Sequence, residues 1–222
     1  MVFKIILMAL TFMPCRVIAG DIKGKVIITK PVRQSAKIVS RSLIKRFTAR
    51  GANHAKGASG SHDEQPTVVV YIEGITATNL KPDSIVVLDQ KNQMFVPHVL
   101  PILVGTTVRF LNSDEVYHNV FSLSRVKNFD LGRYARGKYR SVRFMKPGVV
   151  KVYCDMHTSM NAFILVLENS YFTTIDNDGN FEIKNVPEGN YTIKAWYGRW
   201  PEKLKPVSVK TDGVTEVNFN FP

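Results

Sequence analysis

Cys154, His157 and Met160 stand within the octet "YCDMHTSM" at residues 153–160, in the spacing Cys-x2-His-x2-Met. One short segment thus offers a thiolate, an imidazole and a thioether, the side chains that bind soft and borderline metal ions. The same residue types also make a reactive thiol beside a base, or three ordinary fillers of a core. The cellular compartment and the residues that other segments bring to the octet decide among these readings.

The N-terminus addresses the compartment. "MVFKIILMALTFMPCRVIAG" has a lysine near its start, an apolar stretch from Ile5 to Met13 and a small-residue exit at Val17-Ile18-Ala19, the layout of a cleaved secretory leader. The stretch is too short to span a bilayer as a helix, and no later segment is long and apolar enough to do so. Cleavage is expected after Ala19, with export to the periplasm. Cys15 leaves with the leader, because Phe12-Met13-Pro14 lacks the small residues of a lipid-anchor site. Exported chains normally pair their cysteines in disulfides, yet Cys154 would remain alone. A single thiol in an oxidising compartment needs protection, and a bound metal would supply it.

The elements that must position the octet are strands. "TVVVYIEG", "SIVVLDQ", "TTVRFLN", "YRSVRF", "VVKVYC" and "AFILVLE" are short runs rich in Val, Ile, Phe and Tyr. Turn signals such as Asn112-Ser113-Asp114 and Lys146-Pro147-Gly148 separate them. No long segment has a helical period, so the fold class is all-β, a sandwich or barrel. A strand ending near Asn112 is followed by a loop that delivers His118, and a later strand ends at Cys154.

This order resembles the cupredoxin family of small blue-copper proteins. There one His comes from an upstream loop, while Cys, His and Met share one loop near the C-terminal end. The short Cys-x2-His-x2-Met spacing is most similar to the amicyanin type, with a smaller gap before Met than in plastocyanin. The resemblance covers about eighty residues and implies a Greek-key sandwich holding one type 1 copper, with His118, Cys154, His157 and Met160 as ligands. Two imidazoles, a thiolate and a distant thioether form a compromise between the preferences of Cu(I) and Cu(II). Structural zinc sites favour four strong ligands, often several Cys, and only one Cys is available. Met156 is the rival axial sulfur, expected to point away. Asn119 resembles the family's asparagine that ties the upstream His segment to the Cys segment. His98, after Pro97, is expected near the copper end as an outer-sphere group, an electron-exit residue or an extra ligand.

The tail "YFTTIDNDGNFEIKNVPEGNYTIKAWYGRW" resembles the carboxypeptidase regulatory-like, transthyretin-like β-sandwich, with its T-x-D-x-x-G-x-F-x-I and V-P-x-G-x-Y-x-I repeats. "Asp-x-Asp-Gly" reads as a turn, since a calcium loop needs more oxygen ligands and a distal Glu. That family begins with strands like "GKVIIT" and "TVVVYIEG", which occur here ahead of the copper region. The expected layout is therefore a leader over 1–19 and a second, smaller sandwich split between 20–75 and 168–222. A mobile basic loop over 31–65 would interrupt that sandwich, with the cupredoxin domain over 76–167 inserted into it; the alternative is that the early strands complete the cupredoxin sheet and the tail is a separate appended domain.

The formal charge of +12 falls to +10 when Lys4 and Arg16 leave with the leader, enough to attract acidic partners. Nine Lys or Arg lie between Arg125 and Lys151 against one acid, Asp130. Such a surface suits a redox partner protein with an acidic docking face. Nucleic acid is not an expected partner, because the basic loop lacks interleaved aromatics. The function expected is a one-electron carrier, with a copper chaperone or sensing module as the alternative. No enzymatic activity is expected, because catalytic copper sites need further histidines and only His54, His62 and His98 remain. Proteins of this composite type are similar to methylamine-utilisation cupredoxins.

Overall fold

The computed structural model describes residues 19–29, 67–75, 82, 85–198 and 200–222. Residues 1–18 of the expected leader, with Cys15, and the expected basic loop over 31–65, with His54 and His62, lie outside them. The described residues form strands joined by turns and loops, without helices.

The first two strands are β1 (Ala19–Ile28) and β2 (Val69–Glu73). Nine more follow: β3 (Ile85–Lys91), β4 (Met94–Val96), β5 (Val99–Leu103), β6 (Thr107–Asn112), β7 (His118–Leu123), β8 (Asn128–Tyr134), β9 (Tyr139–Arg143), β10 (Gly148–Tyr153) and β11 (Asn161–Leu167). These nine make two facing sheets, ordered β4-β3-β6-β9 and β5-β11-β10-β7-β8. Alternation drives the arrangement. Along β6, Val108, Phe110 and Asn112 are buried while the residues between them are half-exposed, as period-2 patterning requires. Phe110, Val120, Val152 and Ile164 meet between the sheets in one core with Cys154 and Met160. β3 pairs in parallel with β6, and β5 in parallel with β11, so the chain crosses between sheets rather than running as a simple meander. This is a cupredoxin-like β-sandwich.

The remaining strands are β12 (Phe172–Thr174), β13 (Asn180–Pro187), β14 (Gly189–Trp196), β15 (Lys203–Val209), β16 (Val214–Glu216) and β17 (Phe219–Phe221). They pair with the first two strands. β1 lies between β13 and β16 and also pairs with β17, while β2 lies between β12 and β14. A second core of Ile22, Ile72, Phe181, Ile193, Phe219 and Phe221, among others, fills this sandwich. Gly24 permits its closest packing, because a Cβ there would stand 1.6 Å from the Val217 carbonyl oxygen. The "Asp-x-Asp-Gly" segment is a turn: Asp176 accepts the backbone N–H of Asp178 and Asn180 at 2.9 and 2.8 Å.

β11 joins the two sandwiches. Ala162, Ile164 and Val166 face the cupredoxin-like core, and Phe163, Leu165 and Leu167 pack with Val69 and Trp196 of the second sandwich. A strand buried on both faces reads as a continuous apolar run, which "AFILVL" is.

Candidate metal centre

Three strand ends converge at one edge of the cupredoxin-like sandwich. His118 is the first residue of β7 rather than part of a preceding loop. Cys154 follows β10 directly, and Met160 directly precedes β11. The turn between them is closed by its own backbone: Met160 N–H donates to the His157 carbonyl at 2.9 Å, and Cys154 N–H to the Met160 carbonyl at 3.3 Å. Because β10 and β11 are adjacent antiparallel strands, their register fixes the turn.

His118 Nδ1, Cys154 Sγ and His157 Nδ1 form a triangle. The sulfur lies 3.9 Å from each nitrogen and the nitrogens are 3.0 Å apart. Among the described residues these three form a group able to hold a metal ion. His118 is 0 % exposed, Cys154 3 % and Met160 1 %, and His157 is half-buried. The triangle tests the fit. A point in its plane lies about 2.0 Å from both nitrogens and about 2.3 Å from the sulfur, the bond lengths of imidazole and thiolate to a first-row ion. Tetrahedral angles at the same bond lengths would draw the sulfur to about 3.5 Å from each nitrogen. The donors therefore fit an ion held trigonally, the arrangement that His2Cys copper sites adopt.

The surroundings fix the donors. His118 Nε2 is 2.8 Å from Asp114 Oδ2, so Nε2 carries the proton and Nδ1 presents a lone pair to the triangle. Asp114 also accepts the backbone N–H groups of Asn92 and Gln93 at 2.6 and 2.8 Å. Burial raises the Asp114 carboxyl, but the bonds from Gln93, His118 and Asn92 outweigh that and hold it below its ordinary value. Asn119 Oδ1 accepts Asp155 N–H at 2.7 Å and so links β7 to the Cys154 segment. Burial pushes the Cys154 thiol up, against the opposing backbone N–H groups of Asn119, His157 and Met156. Burial likewise holds the His157 imidazole below its ordinary range, assisted by His118.

The structure brings His118, Cys154 and His157 together and places Met160 in the same core. Met156 is half-buried against that core. His98 stays outside the group: its Nδ1 is 3.1 Å from the Asn161 carbonyl, and its ring meets Phe163 edge-on at 5.6 Å between centroids. Asp114 is the functional residue that sequence reasoning missed. It stands in Asn112-Ser113-Asp114, which reads only as a turn, and its place four residues before His118 was the available signal.

Fold and donor set together define a cupredoxin-like sandwich with a His-Cys-His group able to hold a metal ion at one edge. Similar solved structures include a copper-containing nitrite reductase from Thermus scotoductus, 27% identical over 44% of this chain and 25% of that one, with a TM-score of 0.37. A purple cupredoxin from Nitrosopumilus maritimus is 26% identical over 38% of this chain and 100% of that one, with a TM-score of 0.34. A reduced amicyanin variant is 21% identical over 44% of this chain and 98% of that one, with a TM-score of 0.36. This chain therefore spans only a quarter of the reductase. A family model described as polysaccharide lyase family 4, domain II, matches residues 155–217, less than half of the chain. That match differs from the expected carboxypeptidase regulatory-like family and crosses from the Cys154 segment into the second sandwich. No curated protein matches the sequence. The geometry of the donor atoms, rather than these likenesses, carries the functional reading.

One expectation is corrected. The scarcity of histidines was the ground for excluding an enzyme, yet a catalytic copper protein stands among the similar structures. Ligands for a second metal can come from another domain or another copy, which the histidine count of one chain does not address.

Proposed function

We propose that the protein is a periplasmic type 1 copper protein that carries single electrons, with one copper held by His118, Cys154, His157 and an axial Met160. The planar fit of the Nδ1, Nδ1 and Sγ triangle is the observation that supports this reading most. Copper bound there would supply a couple that exchanges one electron with little change in ligand geometry. The chain's own residues keep that geometry fixed: Asp114 orients the His118 ring, Asn119 holds the Cys154 segment, and buried Met160 anchors the end of the turn. The half-buried His157 is the ligand nearest to solvent.

Partner docking follows from charge. Arg136, Lys138, Arg140, Arg143 and Lys146 are exposed on and beside β9, while Arg133 and Arg136 pair with Asp155 and Glu115. A partner with an acidic face would be steered to this side, with an encounter rate that falls as salt rises. The pairings of β1 and β2 with the tail strands support a transthyretin-like sandwich split between 20–75 and 168–222, around a cupredoxin domain over 76–167.

The test is reconstitution of the chain lacking its leader with Cu(II). An intense visible thiolate-to-copper band that saturates at one equivalent, and is absent in Cys154→Ala, is expected. A wild-type chain without that band would overturn the proposal.

A further inference from the structure

His98 is neither a member of the donor triangle nor an idle surface residue. Two atoms of this residue grip the start of β11. Its ring Nδ1 lies 3.1 Å from the Asn161 carbonyl oxygen, and a carbonyl can only accept, so Nδ1 carries the proton. Its own carbonyl accepts the Phe163 N–H at 2.9 Å. Its ring packs edge-on against Phe163, whose ring in turn meets that of Trp196 of the second sandwich, with centroids 5.2 Å apart. Asn161 is bonded to Met160, so the grip acts one residue away from the buried thioether.

We propose that His98 is a positioning residue: by clamping Asn161 and Phe163 it fixes where Met160 enters the metal centre, and the second sandwich backs the clamp through Trp196. The physical need is plain. A long, weak thioether contact cannot hold its own segment in place, so its distance must be set by the protein. The β10–β11 ladder fixes one side of this turn, and the other side of β11 pairs with β5, which begins one residue after His98. His98 stands where that pairing starts, and adds a side-chain bond where the ladder itself ends.

The consequence for copper rests on the function proposed above, whereas the clamp itself does not. Three variants separate its parts: His98→Ala removes both ring and donor, His98→Phe keeps a ring, and His98→Asn keeps an N–H at the position of Nδ1. In the metal-free protein, amide exchange at Asn161 and Phe163 is expected to quicken about fivefold to tenfold in His98→Ala, the effect of losing one hydrogen bond locally. It should stay near wild type in His98→Asn, with exchange elsewhere unchanged. In the copper-loaded protein, His98→Ala is expected to shift the midpoint potential and the axial signature in electron paramagnetic resonance while keeping the thiolate band. His98→Asn should restore both.

Unchanged exchange at Asn161 and Phe163 in His98→Ala would overturn the clamp, as would faster exchange spread over the whole molecule. Faster local exchange with an unshifted potential would overturn the link to Met160. Loss of copper binding with wild-type exchange would make His98 a ligand and overturn the proposal. Faster local exchange in His98→Ala, together with a wild type that forms no thiolate band, would leave the clamp standing and remove the copper reading alone.

Discussion

His118 is wholly buried, and its usefulness as a donor depends on which nitrogen holds the proton. Asp114 decides this through a 2.8 Å bond to Nε2. Removing the carboxylate in Asp114→Ala leaves the ring free to turn or to change tautomer, and loss of such an outer partner ordinarily weakens metal binding by about tenfold to a hundredfold. Competition with a copper chelator should show that loss, with Asp114→Asn recovering part of it; equal affinity in Asp114→Ala would contradict the assignment. The grouping of His118, Cys154 and His157 was legible, since Cys154 and His157 share one octet and His118 follows a recognisable turn. Asp114 was not, because its role depends on the neighbouring β3–β4 turn, whose N–H groups at Asn92 and Gln93 hold the carboxylate in place. Bonds between segments more than twenty residues apart leave no local pattern.

At the scale of elements, β11 carries the most. One face completes the core beneath the metal centre, and the other is covered by Val69 and Trp196. Leu165 is 2 % exposed on that second face, so Leu165→Ala is expected to cost about 2–5 kcal/mol through lost burial and a residual cavity. Urea unfolding would measure it, and a cost below about 1 kcal/mol would show that the sandwiches do not rest on each other there. The visible band of the copper-loaded variant should persist, since Leu165 touches the opposite face from the donors. The apolar run made β11 legible as a strand. It did not show what covers the second face, because periodicity is silent once both faces are buried.

For the whole molecule, acid sensitivity follows from two half-buried imidazoles. Burial holds His98 below its ordinary range, and His157 carries the same sign. The unfolded chain, with histidines near about 6.5, then binds more protons than the folded one at mildly acid pH. The stabilisation is fully present above that value and is lost as pH falls through the lower folded values. The urea midpoint of the metal-free protein is therefore expected to fall between pH 7 and pH 5, and to fall less in His98→Asn. A midpoint independent of pH over this range would contradict the burial argument. The pairing of both chain ends had its signal in the "GKVIIT" and "TVVVYIEG" strands. The stacking of one sandwich on the other had none, since it rests on Phe163, Leu165 and Trp196 meeting across more than thirty residues of chain.

X-ray absorption on the copper-loaded chain tests the central claim most directly. One sulfur at about 2.3 Å and two imidazole nitrogens at about 2.0 Å are expected, with the short sulfur distance missing in Cys154→Ser. A shell of nitrogen and oxygen alone, without a short sulfur distance in the wild type, would contradict it.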